Sequence, residues 1–123
     1  MATIKSFTDL EQSKRLAEIL SIESADHYYS WHDKQYYVVN KDCPYPYSLK
    51  ERIPCWSLAA LLSVLPDKIH LDNETYHLNF NKDEVKYLGS ITWDGQKCIS
   101  SKADTIVDAC YEMIEKLHER NLL

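Results

Sequence analysis

The sequence predicts an α+β fold: a mostly antiparallel sheet of about five or six short strands with three helices packed on it. Three observations carry this. From Asp104 to about Arg120, Ile106, Cys110, Met113, Ile114 and Leu117 recur at steps of three and four, the mark of a helix with one apolar stripe. Between the helical stretches lie short alternating runs bounded by turn residues, which read as hairpin-connected strands. The order is helix, hairpin, helix, three or four strands, helix, and runs of strands grouped between helices predict helices covering an antiparallel sheet.

The first helix is expected over about Thr8 to Leu20, with Thr8 and Glu11 at capping-box spacing. Leu10, Leu16, Ala17, Ile19 and Leu20 form its buried side. His27 to Val39 reads as a hairpin turning at Asp33-Lys34, which sets Trp31 opposite Tyr36 and Tyr29 opposite Val38 on a core-facing side. Tyr28, Ser30, Tyr37 and Val39 then lie on the other side. Cys43-Pro44-Tyr45-Pro46-Tyr47 cannot be regular helix, because its prolines remove donors and push their predecessors towards extended backbone. A short helix follows over roughly Cys55 to Val64, starting near Pro54 and stopped by Pro66, and its nearly all-round apolarity predicts deep burial.

Ile69–Leu71 and Thr75–Phe80 come next, with Tyr76, Leu78 and Phe80 on one face and Thr75, His77 and Asn79 on the other. Tyr87–Trp93 and Gln96–Ile99 flank Asp94-Gly95, the best hairpin signal in the chain, and a two-residue turn there puts Ile91 opposite Cys98. Asp104 is the expected N-cap of the closing helix.

Bulk composition bounds the function. A chain of 123 residues fits one domain, with 45% apolar and 27% charged residues, as ordinary soluble globular proteins have. The net charge of -5 disfavours general phosphate-backbone binding. Two glycines, Gly89 and Gly95, are too few for a phosphate-cradling or dinucleotide loop. Cys43, Cys55, Cys98 and Cys110 form no C-x-x-C pair. Met1 to Thr8 has no apolar leader run and no stretch is long enough to span a membrane, so a reduced, cytoplasmic protein is expected. No cofactor is implied.

Three stretches stand out together: Thr8-Asp9-Leu10-Glu11-Gln12-Ser13-Lys14; Pro54-Cys55-Trp56-Ser57-Leu58-Ala59-Ala60-Leu61-Leu62-Ser63-Val64-Leu65-Pro66; and Val107-Asp108-Ala109-Cys110-Tyr111-Glu112-Met113-Ile114-Glu115-Lys116-Leu117-His118. On these the chain resembles a family of small uncharacterised proteins encoded by anaerobic gut bacteria and their prophages. The resemblance implies an intracellular protein carried on phage or another mobile element, and brings no functional residues with it.

Three groups of residues are candidates for function. Nine tyrosines and three tryptophans are many for this length, and rings on the outer face of the first hairpin, Tyr28 and Tyr37, offer rigid amphipathic contact area. Tyr45, Tyr47 and the terminal Leu122 and Leu123 extend that candidate interface, whose partner is a protein or a second copy. The same rings beside Lys34, Lys41, Lys50 and Arg52 suggest base stacking, but Asp26, Asp33, Asp42 and Glu51 cancel the basic groove this requires. His70 and His77, set opposite each other by a turn at Asn73-Glu74 and joined by Asp72, are a candidate zinc site for a metal-dependent protein or enzyme. Cys43, with His32 as base and Asp33 or Asp42 as orienting group, is a candidate thiol nucleophile. Without an assembled catalytic set, the sequence favours a non-catalytic interaction protein.

Overall fold

The computed structural model describes residues 5–32, 34–42 and 52–123, the His32 side chain excepted. Helix α1 (Leu10–Ile19) and a 3₁₀ turn (Ile22–Ser24) precede strands β1 (His27–His32), β2 (Gln35–Asn40) and β3 (Ile53–Cys55). Helix α2 (Leu58–Val64) leads into β4 (Lys68–Leu71), β5 (Glu74–Phe80), β6 (Glu84–Thr92) and β7 (Gly95–Lys102), and α3 (Ile106–Glu119) closes the chain. The α+β class is as expected. The single sheet is not: the strands form two antiparallel sheets, ordered β2-β1-β3 and β4-β5-β6-β7. Consecutive antiparallel strands satisfy each other locally. The first sheet ends at β3, whose central residue Pro54 has no N–H to offer a further strand.

The chain gathers into two compact units, one of residues Ser6–Val64 and one of Leu65–Leu123 with Lys5. In the first, α1 begins one residue later than the expected Thr8 cap. Asp9 is the N-cap, and Asp9 and Gln12 make the reciprocal bonds of a capping box. Thr8 is freed for the interior, where it is fully buried. Its hydroxyl accepts from the Trp56 N–H at 3.2 Å and shares a hydrogen bond with Ser13 Oγ at 2.8 Å. Its carbonyl accepts from the Tyr29 hydroxyl at 2.6 Å, and its N–H donates to the Trp56 carbonyl at 3.0 Å. One residue thus ties α1, β1 and the end of β3 together.

Pro54 does not start a helix. Ile53-Pro54-Cys55 is an edge strand on β1, with Pro54 opposite Tyr28, a position where a missing donor costs nothing. Helix α2 starts three residues later, where the Ala60 N–H donates to Ser57 Oγ at 3.2 Å. Within α2, Ala60 and Leu61 are buried while Ala59 and Ser63 are exposed, so burial is narrower than its apolarity suggests.

In the second unit the closing helix behaves as its pattern predicts. Val107, Ala109, Cys110, Met113, Ile114 and Leu117 are buried, and α3 packs on β6 and β7, whose Val85, Tyr87 and Ile99 are also buried. The N-cap is Thr105 rather than Asp104, its side chain accepting from the Asp108 N–H at 3.1 Å. At the other end Asn121 takes φ 58°, and the N–H groups of Asn121 and Leu122 donate to the carbonyls of His118 and Leu117. That pair of bonds is a Schellman cap, and it gives Leu122 a structural role.

The β6–β7 hairpin differs from expectation. Thr92 pairs with Gly95 and Ile91 with Gln96, so the loop is Trp93-Asp94, and Cys98 faces Leu88 instead of Ile91. Gly95, at φ 119°, supplies the backbone that closes so tight a loop. Gly89 and Ser90 then form a bulge, and the Tyr76 ring packs where a Gly89 Cβ would sit, 2.8 Å from the nearest ring atom.

Candidate functional site

The first hairpin has the expected register. Trp31 pairs with Tyr36, Tyr29 with Val38, Tyr28 with Val39 and Ser30 with Tyr37. Burial does not follow the two faces, however. Trp31 (42%), Tyr36 (38%) and Tyr37 (42%) are exposed, whereas Tyr28 and Tyr29 are half-buried and Ser30 is buried. Strand β3 pairs only with His27, Tyr28 and Tyr29, so among the described residues the turn end of the hairpin is a two-stranded ribbon with no third strand. Tyr28, one of the expected interface rings, is half-buried, and the Arg52 guanidinium lies over its ring at 5.8 Å. Trp31 and Tyr36, expected in the core, are instead on the surface.

The rings hold one another in place. Trp31 and Tyr36 meet edge to face at 4.8 Å between centroids, and Tyr36 meets Tyr29 edge to face at 6.3 Å. Tyr29 is anchored through its hydroxyl to Thr8, and burial pushes its pKa up to about 12, which keeps it a neutral donor. On the opposite face Gln35 Nε2 donates to the Tyr37 hydroxyl. A pre-ordered aromatic surface loses little side-chain entropy on binding, which favours recognition.

The other candidates are placed differently. Strand β4 turns into β5 at Asp72-Asn73, both left-handed at φ 52° and 64°, and not at Asn73-Glu74. A two-residue hairpin loop of this kind needs two residues tolerant of positive φ, and Asp and Asn are better suited than Glu. The slip sets His70 opposite Thr75, whose hydroxyl lies 3.1 Å from Nδ1, and His77 opposite Lys68. His70 and His77 become diagonal neighbours, with Asp72 in the turn. Among the described residues no group of three His, Cys, Asp or Glu is placed to hold a metal ion. Cys43, Tyr45, Tyr47, Asp33, Lys50 and the His32 side chain lie outside the described residues, so the thiol candidate and the Tyr45–Tyr47 part of the interface do too. Leu123 is exposed.

Two polar clusters lie in the first unit, around Asp26 and around Thr8. The Asp26 carboxylate accepts from the Ser57 N–H at 3.0 Å and from the Ser57 hydroxyl, and lies 3.0 Å from His27 Nδ1. Burial works to raise the Asp26 pKa, but the adjacent His27 imidazole and the Ser57 hydrogen bonds outweigh it and hold the carboxyl below its ordinary value. Because the carboxylate sits between hydroxyl and imidazole, the imidazole is not positioned to take the serine proton. The cluster instead fastens the start of β1 to the start of α2. Around Thr8, the Cys55 thiol lies 3.6 Å from the Thr8 carbonyl oxygen, and burial pushes its pKa up, away from the thiolate a nucleophile needs.

The sequence reading missed a second apolar exposure. Trp93 is 95% exposed and Ile91 80% exposed at the tip of the β6–β7 hairpin, with Phe80 exposed at the end of β5. The signal was present in a tryptophan beside the turn. No helix of the described residues is long and apolar enough to cross a membrane.

Fold and surface together define an α+β protein with two antiparallel sheets and an aromatic ribbon. No family model matches the chain, nor does any curated protein or solved structure.

Proposed function

We propose that this chain is a non-catalytic interaction protein that binds another polypeptide chain through the turn end of the β1–β2 hairpin. The observation that carries this is the exposure of Trp31, Tyr36 and Tyr37 on one ribbon, Trp31 and Tyr36 being already ordered by edge-to-face contacts and Tyr37 by a hydrogen bond from Gln35. Large aromatic side chains supply much of the binding energy at protein interfaces, and leaving several exposed in one place is costly for solubility.

The test is capture from host lysate by the tagged protein, beside a variant carrying Trp31→Ser and Tyr36→Ser. A partner, or a second copy, retained by wild type and lost by the variant is the expected result. Equal retention by both, with the thermal transition preserved, removes the hairpin as the binding surface.

A further inference from the structure

We infer that the outer edge of β2 pairs antiparallel with β2 of a second copy about a twofold axis at Val38, joining two three-stranded sheets into one of six strands. This rests on the interaction reading above and names its partner. An edge strand presents unpaired N–H and C=O groups, and proteins blunt such edges with short strands, proline or lysine. The four sheet edges among the described residues differ in just this respect. Strand β3 has three residues and contains Pro54, and β4 has four residues. Strand β7 carries Lys97 and Lys102. Strand β2 has six residues, Gln35–Asn40, and its interior Tyr36-Tyr37-Val38-Val39 holds neither proline nor charge. Among the described residues, β2 is paired on one side only, with β1.

The sequence of β2 is complementary to itself. A twofold axis perpendicular to the sheet keeps the same face upward in both copies. With that axis on Val38, Val38 meets its own copy and Tyr37 meets Val39 twice, an aromatic–β-branched pairing that suits a pleated surface. Tyr36 meets Asn40, and at the flanks Lys34 stands opposite Asp42 twice, both residues being exposed. Shifting the axis to Val39 sets Lys41 opposite Tyr37 and removes the Lys34–Asp42 pairs. Charge complementarity therefore favours a second copy in this register.

The experiment is sedimentation equilibrium of the full chain across a concentration series. Wild type is expected to show a monomer–dimer equilibrium. Lys34→Asp keeps a residue tolerant of positive φ and makes two like-charge pairs, weakening association by about tenfold. Adding Asp42→Lys to that variant restores it. In a background with Cys43→Ser and Cys98→Ser, Val38→Cys should form an intermolecular disulfide when oxidised by dissolved oxygen with copper–phenanthroline as catalyst, since paired strands bring Cα atoms within its reach. Wild type that stays monomeric at every concentration overturns the self-pairing. So does a Lys34→Asp variant that the second change fails to rescue, and preferential crosslinking by Tyr37→Cys overturns the register. A monomer that still captures a different protein through Trp31 and Tyr36 leaves the interaction reading standing while this inference falls.

Discussion

The Ser6–Val64 unit is organised by hydrogen bonds converging on one threonine, whereas the Leu65–Leu123 unit is organised by an apolar helix on a sheet. In the first, Thr8 serves Ser13, Tyr29 and Trp56 at once, and few large side chains beyond Trp56, Leu16 and Leu61 are fully buried. In the second, Met113, Ile114, Leu117, Val107, Val85 and Tyr87 are all fully buried. A polar hub fixes relative positions with little area but depends on every partner being present. An apolar stripe tolerates the loss of any one polar contact and is sensitive to volume.

Volume loss in α3 should give the largest effect. Leu117→Ala deletes buried methyl groups and is expected to destabilise the second unit by roughly 3 kcal/mol, read from urea unfolding. Thr8→Val keeps shape but removes the acceptor of the buried Trp56 N–H, and is expected to cost about 2 kcal/mol in the first unit. A neutral outcome there would mean that shape, and not the hydroxyl, holds the hub. Gly89→Ala drives a methyl into the Tyr76 ring and should cost about 1.5 kcal/mol, with a lowered thermal midpoint as the readout.

The smallest effects concern pH and separate the units by sign. Asp26, in the first unit, has a lowered folded-state pKa, so its contribution is present above its unfolded value of 3.8 and is lost as pH falls through the folded value. Asp26→Asn should therefore flatten the acid limb of the stability profile. Cys110, in the second unit, is raised by burial from 9.0 to about 12, so stability is full below pH 9.0 and declines as pH climbs towards 12. Cys110→Ala should soften that alkaline limb, checked by denaturant midpoints on either side of pH 9.0.

Legibility in the sequence followed the length of the local pattern and not the division into units. The stripe of α3 repeats over four turns, so its buried residues were readable, with Val107 and Ala109 added and Ile106 left half-buried. The first hairpin's register was readable because His32 and Gln35 flank a two-residue connection. What it exposes was not, because alternation predicts faces only where a third strand and a covering layer continue along the whole hairpin. Pro54 misled because proline suits a first helical turn and an edge strand equally. The His70–His77 site dissolved over one residue of turn placement, since shifting the loop from Asn73-Glu74 to Asp72-Asn73 changes every cross-strand partner.

The three tryptophans occupy three optical environments: Trp56 has no contact with solvent, Trp31 is 42% exposed and Trp93 is 95% exposed. Their emission should run from blue to red in that order, and a soluble quencher should reach them in the reverse order. Trp56 reports on the first unit and Trp93 on the second. Variants keeping one indole each would turn a single fluorimeter trace into separate unfolding curves, and Trp31 would signal occupation of the aromatic ribbon without any attached dye.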